Sequence, residues 1–445
     1  MERIGVLMKD MTNLPHLWRT CLAAIKKEVV PALGCTEPIS LAFAAAVAAS
    51  YLQKPIEKIE AKVSANLMKN GMGVTVPGTE TTGLIIAAAV GALGGNPDAK
   101  LEVLKNITSE QVAAAKQMLA DNKVTISVAD VTKPLYAEAT LFNGADYVKV
   151  AIADDHTNVI LIEQNHKVLF AATINTNLHA TKTEYSLAGI TAADIYDFAM
   201  SAPLSLIDFI EEAATMNENL SALGMSGKYG MKIGATINSN IKVGMMENGL
   251  LTQILMRTAA ASDARMGGAT LPAMTNSGSG NQGIAATMPV VVVAQHLKVS
   301  RERLVRALVL SHMMAIYIHD RLPKLSAFCA VTSASMGAAA GMSYLLKPDF
   351  STVSMAISNM IGDVSGMICD GASNSCAMKV STSAGSAFKA VLMALEGIRV
   401  SGTEGIVAEE LDSSINNLGK LACQGMAQTD AQILQIMLDK MPSYT

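Results

Sequence analysis

Aromatic residues are scarce in this 445-residue chain, at 4% with a single tryptophan, and charged residues make up only 16%. With few Phe and Trp side chains to fill space, 28 methionines and abundant alanine and glycine must do so, which favours helices packed closely through small residues. Basic charge is not in excess either. The net charge is −4 and no Lys/Arg run is interleaved with aromatics, so the footprint of a nucleic-acid binder is missing and small molecules are the partners to consider. Long apolar runs are also lacking. Mean hydropathy is +0.32, yet the most apolar stretches, Ile39–Leu52, Gly83–Gly95 and Met288–Ala294, stop at roughly 7–14 residues, short of the ~18–20 that a membrane span requires. A soluble chain with no membrane partner is expected. The first twenty residues mix acidic and polar side chains without an apolar core, so nothing marks export and a cytoplasmic location is expected. Six cysteines in such a chain point to buried thiols, metal ligands or catalytic groups rather than to a disulfide framework.

The length allows two or three domains and a large core without help from an oligomer; a homo-oligomer is neither required nor excluded. Apolar residues recur at helical spacing from Pro15 to about Leu52, with a break at Pro31–Pro38 before the helix resumes at Ile39, which puts Cys35 at a helix start. From Ile56 to about Thr173 the pattern changes to strict alternation in several runs, broken by helical stretches at Thr82–Leu93 and Ser109–Leu119. From Ala192 onward helical periodicity returns. The expected fold is therefore α+β: a mainly helical, discontinuous domain at 1–54 and 181–445, into which a smaller α+β domain at 55–180 is inserted.

Three cysteines fall in the C-terminal half: Cys329, then Cys369 and Cys376. Two cysteines bridged by Asp-Gly-Ala-Ser-Asn and neighbours are too far apart for a zinc knuckle, but they can face one inorganic core from a loop while a third arrives from another element. Three ligands would leave one iron open as a Lewis acid. Ordinary buried thiols account for the same spacing. Cys35 stands apart: at a helix N-terminus the macrodipole favours its thiolate, while the nearby Glu37 opposes it, so the balance is left to the structure.

Further stretches have site-like composition. The loop Asn276, Ser277, Gly278, Ser279, Gly280, Asn281, continuing through Gln282 and Gly283, offers backbone amides and short side chains that can cradle a carboxylate, although such loops also merely connect elements. Ser64–Gly73 follows a strand, and Gly71 and Gly73 would admit a close backbone approach. His156 lies between strands and reads as a solvated turn residue. His319 and Lys324 could set positive charge beside a cluster or simply be solvated.

Taken together, PALGCTEPISLAFAAAVAA at 31–49, NLMKNGMGVTVPGT at 66–79, TNSGSGNQG at 275–283 and CDGASNSCAMK at 369–379 resemble the L-cysteine desulfidase family, relatives of the iron–sulfur L-serine dehydratase alpha chain. The resemblance covers essentially the whole chain. It implies a [4Fe-4S] cluster held by Cys329, Cys369 and Cys376, with Cys35 as the proton acceptor in β-elimination of L-cysteine to sulfide, pyruvate and ammonia. In the serine dehydratases a Ser-Ser-His segment stands near the substrate; here Gly34-Cys35-Thr36-Glu37-Pro38 replaces it, and the Cys369–Cys376 loop is shorter, which favours a thiol substrate. Cys21 and Cys423 match no cluster motif. The alternatives are L-serine dehydration, a non-catalytic iron–sulfur sensor, and a zinc-bound or metal-free structural protein. No signature positions pyridoxal phosphate.

Overall fold

Helices Thr36–Leu52 and Leu84–Gly94 are apolar on nearly every side and buried on nearly every side, as a helix without a polar stripe must be. They pack on each other and on one face of a six-stranded sheet. The computed structural model that shows this describes residues 14–172 and 185–440. Strand Lys58–Val63 illustrates how the sheet is specified: Ile59, Ala61 and Val63 are buried while Lys58 and Lys62 are exposed, the two-residue alternation of a half-buried strand. Across the sheet the order is Val124–Val128, Lys58–Val63, Tyr136–Asn143, Asp146–Ala153, Val159–Gln164, Lys167–Ala171. The first pair is parallel, reached by a crossover through Leu84–Gly94 and Ser109–Ala120, and the rest is an antiparallel meander.

A second core gathers His16–Glu28 with the helices that follow residue 185, among them Gly280–Leu297, Arg301–His319, Ala330–Leu346 and Cys376–Leu395. The fold is α+β and mainly helical. Side chains of Thr36–Leu52 lie in the sheet's core, not the helical one, and the C-terminal helix Ala427–Asp439 sends Leu434 there too. The border expected at 180/181 and most of the chain's opening segment lie outside the described residues. Among those residues no helix is long and apolar enough to cross a membrane.

Two local readings change. The helix after Cys35 begins at Thr36 rather than Ile39, because Pro38 sits in its first turn, where a missing N–H costs no helical hydrogen bond. Most of the Ser64–Gly73 stretch, read only for the openness of Gly71 and Gly73, forms a short helix, Ala65–Gly71, whose first turn is capped by Ser64 Oγ accepting from Leu67 N at 3.4 Å.

Candidate functional site

Short pieces of extended chain bring distant cysteines together. Pro31–Ala32 pairs antiparallel with Ala273–Met274, which sets the Gly34–Cys35 turn beside the Thr275–Asn281 loop. Gly34 makes that turn at φ +75°, and a Cβ on it would lie 2.4 Å from Pro77 Cγ, so a larger residue cannot deliver Cys35 there. A second bridge, Phe328 with Ile368, is flanked by Cys329 N donating to Met367 O at 3.0 Å and Cys369 N donating to Ala327 O at 2.7 Å. Alternation along these two segments puts Cys329 and Cys369 on the same side. Cys376 follows after a turn and opens the helix Cys376–Leu395. The four thiols Cys35, Cys329, Cys369 and Cys376 line one cavity.

The loop expected to hold a carboxylate contributes unevenly. Ser277, Gly278, Ser279 and Asn281 line the same cavity, whereas Asn276 and Gly280 do not. Asn276 is fully buried and its amide is used inside the protein, donating to His312 O and facing His312 Nδ1, each at 3.1 Å. Since an amide nitrogen can only donate, Nδ1 accepts, and Nε2–H then donates to Thr287 Oγ1 at 3.0 Å.

Sequence reasoning missed several cavity residues. Glu37 accepts from Cys35 Sγ at 3.0 Å and Thr36 Oγ1 at 3.2 Å through one oxygen, and from Asn70 Nδ2 at 3.3 Å through the other. Its presence two residues from Cys35 was visible; that it turns back onto the thiol was not. Arg265, 2% exposed, reaches the cavity from the helix Leu250–Met266, where nothing local marks it. His156 is no solvated turn residue: it projects from the tip between two strands against Gly278, with Nε2 buried and unpartnered. His319 and Lys324 also line the cavity, His319 buried and Lys324 exposed beside Asp155. The Ser64–Gly73 stretch serves the site from behind. Lys69, fully buried, donates to Cys369 O at 3.1 Å, to Ser326 O at 3.4 Å and to Asp430 at 2.5 Å, and Gly73 bridges to Ser373 in the cysteine loop.

Three thiols of this cavity, Cys35, Cys329 and Cys376, are shifted towards the protonated form. Burial first, then the Glu37 charge, pushes Cys35 well above its ordinary value against a smaller lowering by Arg265, so the helix N-terminus does not prevail. Burial and the neighbouring Cys369 and Cys376 push Cys329 up to about 12, and Cys376 is raised by burial foremost. Burial lowers His156 and takes His319 down to about 4. Among the described residues no three His, Cys, Asp or Glu side chains close on one point as the ligands of a single ion do. Cys329, Cys369 and Cys376 line one cavity.

A family model described as the serine dehydratase alpha chain matches residues 98–435 of this sequence. The chain belongs to the serine dehydratase alpha-chain family. A UPF0597 protein of Chromobacterium violaceum is 68% identical to it over 425 residues, covering 96% of this chain and 98% of that one. A UPF0597 protein of Actinobacillus pleuropneumoniae is 57% identical over 425 residues, covering 96% and 98%. The UPF0597 protein YhaM of Escherichia coli O157:H7 is 55% identical over 435 residues, covering 97% and 100%. The match places Cys329, Cys369 and Cys376 inside a segment common to the family, while Cys35 lies ahead of the matched segment.

Proposed function

We propose that this family member is a carbon–sulfur lyase that eliminates sulfide from L-cysteine, with a [4Fe-4S] cluster held by Cys329, Cys369 and Cys376. The observation that carries the reading is that four thiols drawn from positions 35 to 376 line one cavity, and one of them, Cys35, hydrogen-bonds a carboxylate through its sulfur. The donor set fits such a group: three soft ligands face one space, and the buried Arg265 Nε and Gln282 Oε1 at that space have no protein partner. When bound, a cluster with three thiolate ligands supplies a Lewis acid for the departing sulfur.

The chain's own residues handle the protons. Cys35 Sγ gives its proton to Glu37 Oε2, and the thiolate so formed takes the α-proton of L-cysteine. Thr36 and Asn70 hold Glu37 in place through both carboxylate oxygens, and Arg265 offsets the charge that appears on Cys35. As the Cα–H and Cβ–S bonds break, the products are sulfide and 2-aminoacrylate. The latter tautomerises to an imine, which water hydrolyses to pyruvate and ammonia. Leu322, Pro323 and Phe328 in the cavity wall limit water around the reacting atoms.

The family's description favours one second reading, dehydration of L-serine with hydroxide leaving in place of sulfide. Anaerobic reconstitution with iron and sulfide, followed by measurement of sulfide and pyruvate from L-cysteine and pyruvate from L-serine, separates the two. Cluster-loaded protein that turns over neither amino acid would sink both and leave a non-catalytic iron–sulfur protein.

A further inference from the structure

The proposed mechanism uses the charge of Arg265 but not its hydrogen-bonding edge. Arg265 is 2% exposed, yet among the described residues it forms no salt bridge, and its Nε and Nη2 have no hydrogen-bond partner. Nη1 alone has a contact, Met266 Sδ at 3.3 Å. Lys69, a cation buried to the same degree, is paired with Asp430. A guanidinium cannot shed its proton to escape burial, so an unpaired one is costly in the absence of an anion.

The two unpartnered nitrogens point to the class of anion. Nε–H and the Nη2–H beside it point the same way and form the side-on edge of the guanidinium, the fork that receives the two oxygens of a carboxylate. The remaining edge is the one turned to Met266. A single sulfur would leave half of such a fork empty.

The surroundings keep the fork in place. Arg265 crosses the first turn of the helix Gly280–Leu297, where a Cβ on Gly280 would stand 2.2 Å from Nε and 2.8 Å from Cζ, so only glycine admits the side chain. The N-cap of that helix, Ser279, makes no side-chain cap, which leaves first-turn N–H groups open next to the fork. Ser279, Arg265 and Cys35 face the same cavity.

We propose that Arg265 is the anchor for the substrate's α-carboxylate, seated against the open N-terminus of the helix Gly280–Leu297. The assignment rests on the reading of the cavity as an amino-acid site and adds the residue that selects amino acids over amines. A carboxylate held there places the adjacent Cα–H on the side of the cavity that carries Cys35. The Gly278–Asn281 backbone then serves as the second half of the cradle rather than the whole of it.

Cluster-free, reduced full-length protein suffices for the test, with L-alanine as an unreactive probe, ethylamine as the same molecule without its carboxylate, and inorganic phosphate as a different oxyanion. By isothermal titration calorimetry the wild type is expected to bind L-alanine and not ethylamine. Arg265→Met should weaken L-alanine by about 10²-fold, the loss of two charge-assisted hydrogen bonds, and Arg265→Lys by less. Unliganded Arg265→Met should melt no lower than the wild type, because a buried unpaired charge has been removed; a structural arginine would give a lower melting temperature. Unchanged L-alanine affinity in Arg265→Met would overturn the assignment, as would phosphate binding more tightly than L-alanine. The two readings fail separately. L-alanine binding through Arg265 without sulfide release from L-cysteine in reconstituted protein would remove the lyase reading and keep the anchor. Equal sulfide release from L-cysteine and cysteamine would remove the anchor and keep the lyase.

Discussion

Lys69 ties three parts of the molecule to the cysteine loop, and its replacement by methionine should show how much that tie contributes. The ammonium is fully buried against Asp430, whose side chain is 17% exposed, and it also donates to the carbonyls of Cys369 and Ser326. Removing one partner of a buried ion pair costs about 3–5 kcal/mol, because the other charge stays behind. Water reaching Asp430 brings this to about 3 kcal/mol, and the Cys369 carbonyl at 3.1 Å adds about 1 kcal/mol, while Ser326 at 3.4 Å adds little. A loss of roughly 3–4 kcal/mol is expected for Lys69→Met. Urea unfolding of cluster-free, reduced protein, followed by far-ultraviolet circular dichroism, measures it. Lys69→Met with Asp430→Leu should recover most of the loss, since an apolar pair of similar volume replaces a buried ion pair at little cost. A single variant within ~1 kcal/mol of wild type, or a double variant no better than the single, would refute the reasoning.

Other expectations concern the thiols and histidines. Cys35→Ser and Glu37→Gln should each keep their cluster absorbance and lose turnover by about 10²–10⁴-fold, the usual worth of a general base; wild-type rates in either would remove that residue from proton transfer. Cys369→Ser should lose cluster and activity together, whereas Cys423→Ser, at an exposed position outside the cavity, should lose neither. His312 is held neutral, its pKa lowered to about 3 by burial. The unfolded imidazole gains its proton near 6.5, so stability is full above about 6.5 and falls as pH drops towards 3. Melting temperatures recorded from pH 7 to pH 4 should therefore fall less steeply for His312→Asn than for wild type, and parallel curves would contradict this.

The strands were legible from two-residue alternation, as Lys58–Val63 shows, and the two apolar helices from apolar runs longer than a strand, as Leu84–Gly94 shows. Cys329, Cys369 and Cys376 were legible only as a spacing; the bridge between Phe328 and Ile368 that sets two of them side by side has no sequence pattern of its own. Burial decides what remained hidden. Arg265 sits at the end of its helix between Ala264 and Met266, and the approach of Gly280 from another helix makes it a cavity residue rather than a solvated helix-end cation. His156 misled because a histidine between strands is normally solvated, and the loop that covers it comes from residue 278. The protonation of Cys35 was open in sequence because the helix terminus and Glu37 compete, and desolvation, which sequence does not show, decides it.

One electrostatic feature joins these residues into a single argument. Cys35, Ser279 and Cys329 are the N-caps of their helices and Cys376 is the first residue of a fourth, so four helices begin at the cavity wall. At none of the four does a side chain cap the first turn, although Thr108, Thr191, Ser300 and Asp349 cap helices elsewhere. Each uncapped start leaves N–H groups and about half a positive charge directed at the space. Arg265 adds a full one, and Glu37 is turned onto Cys35. A cavity so arranged is a poor place for a neutral ligand and a good one for several negative groups at once. On the function proposed above, cluster thiolates, a substrate carboxylate and a departing sulfide are all anionic, and weaker cluster retention and weaker L-alanine binding are expected in a variant that caps one of these helices, such as Ser279→Asp.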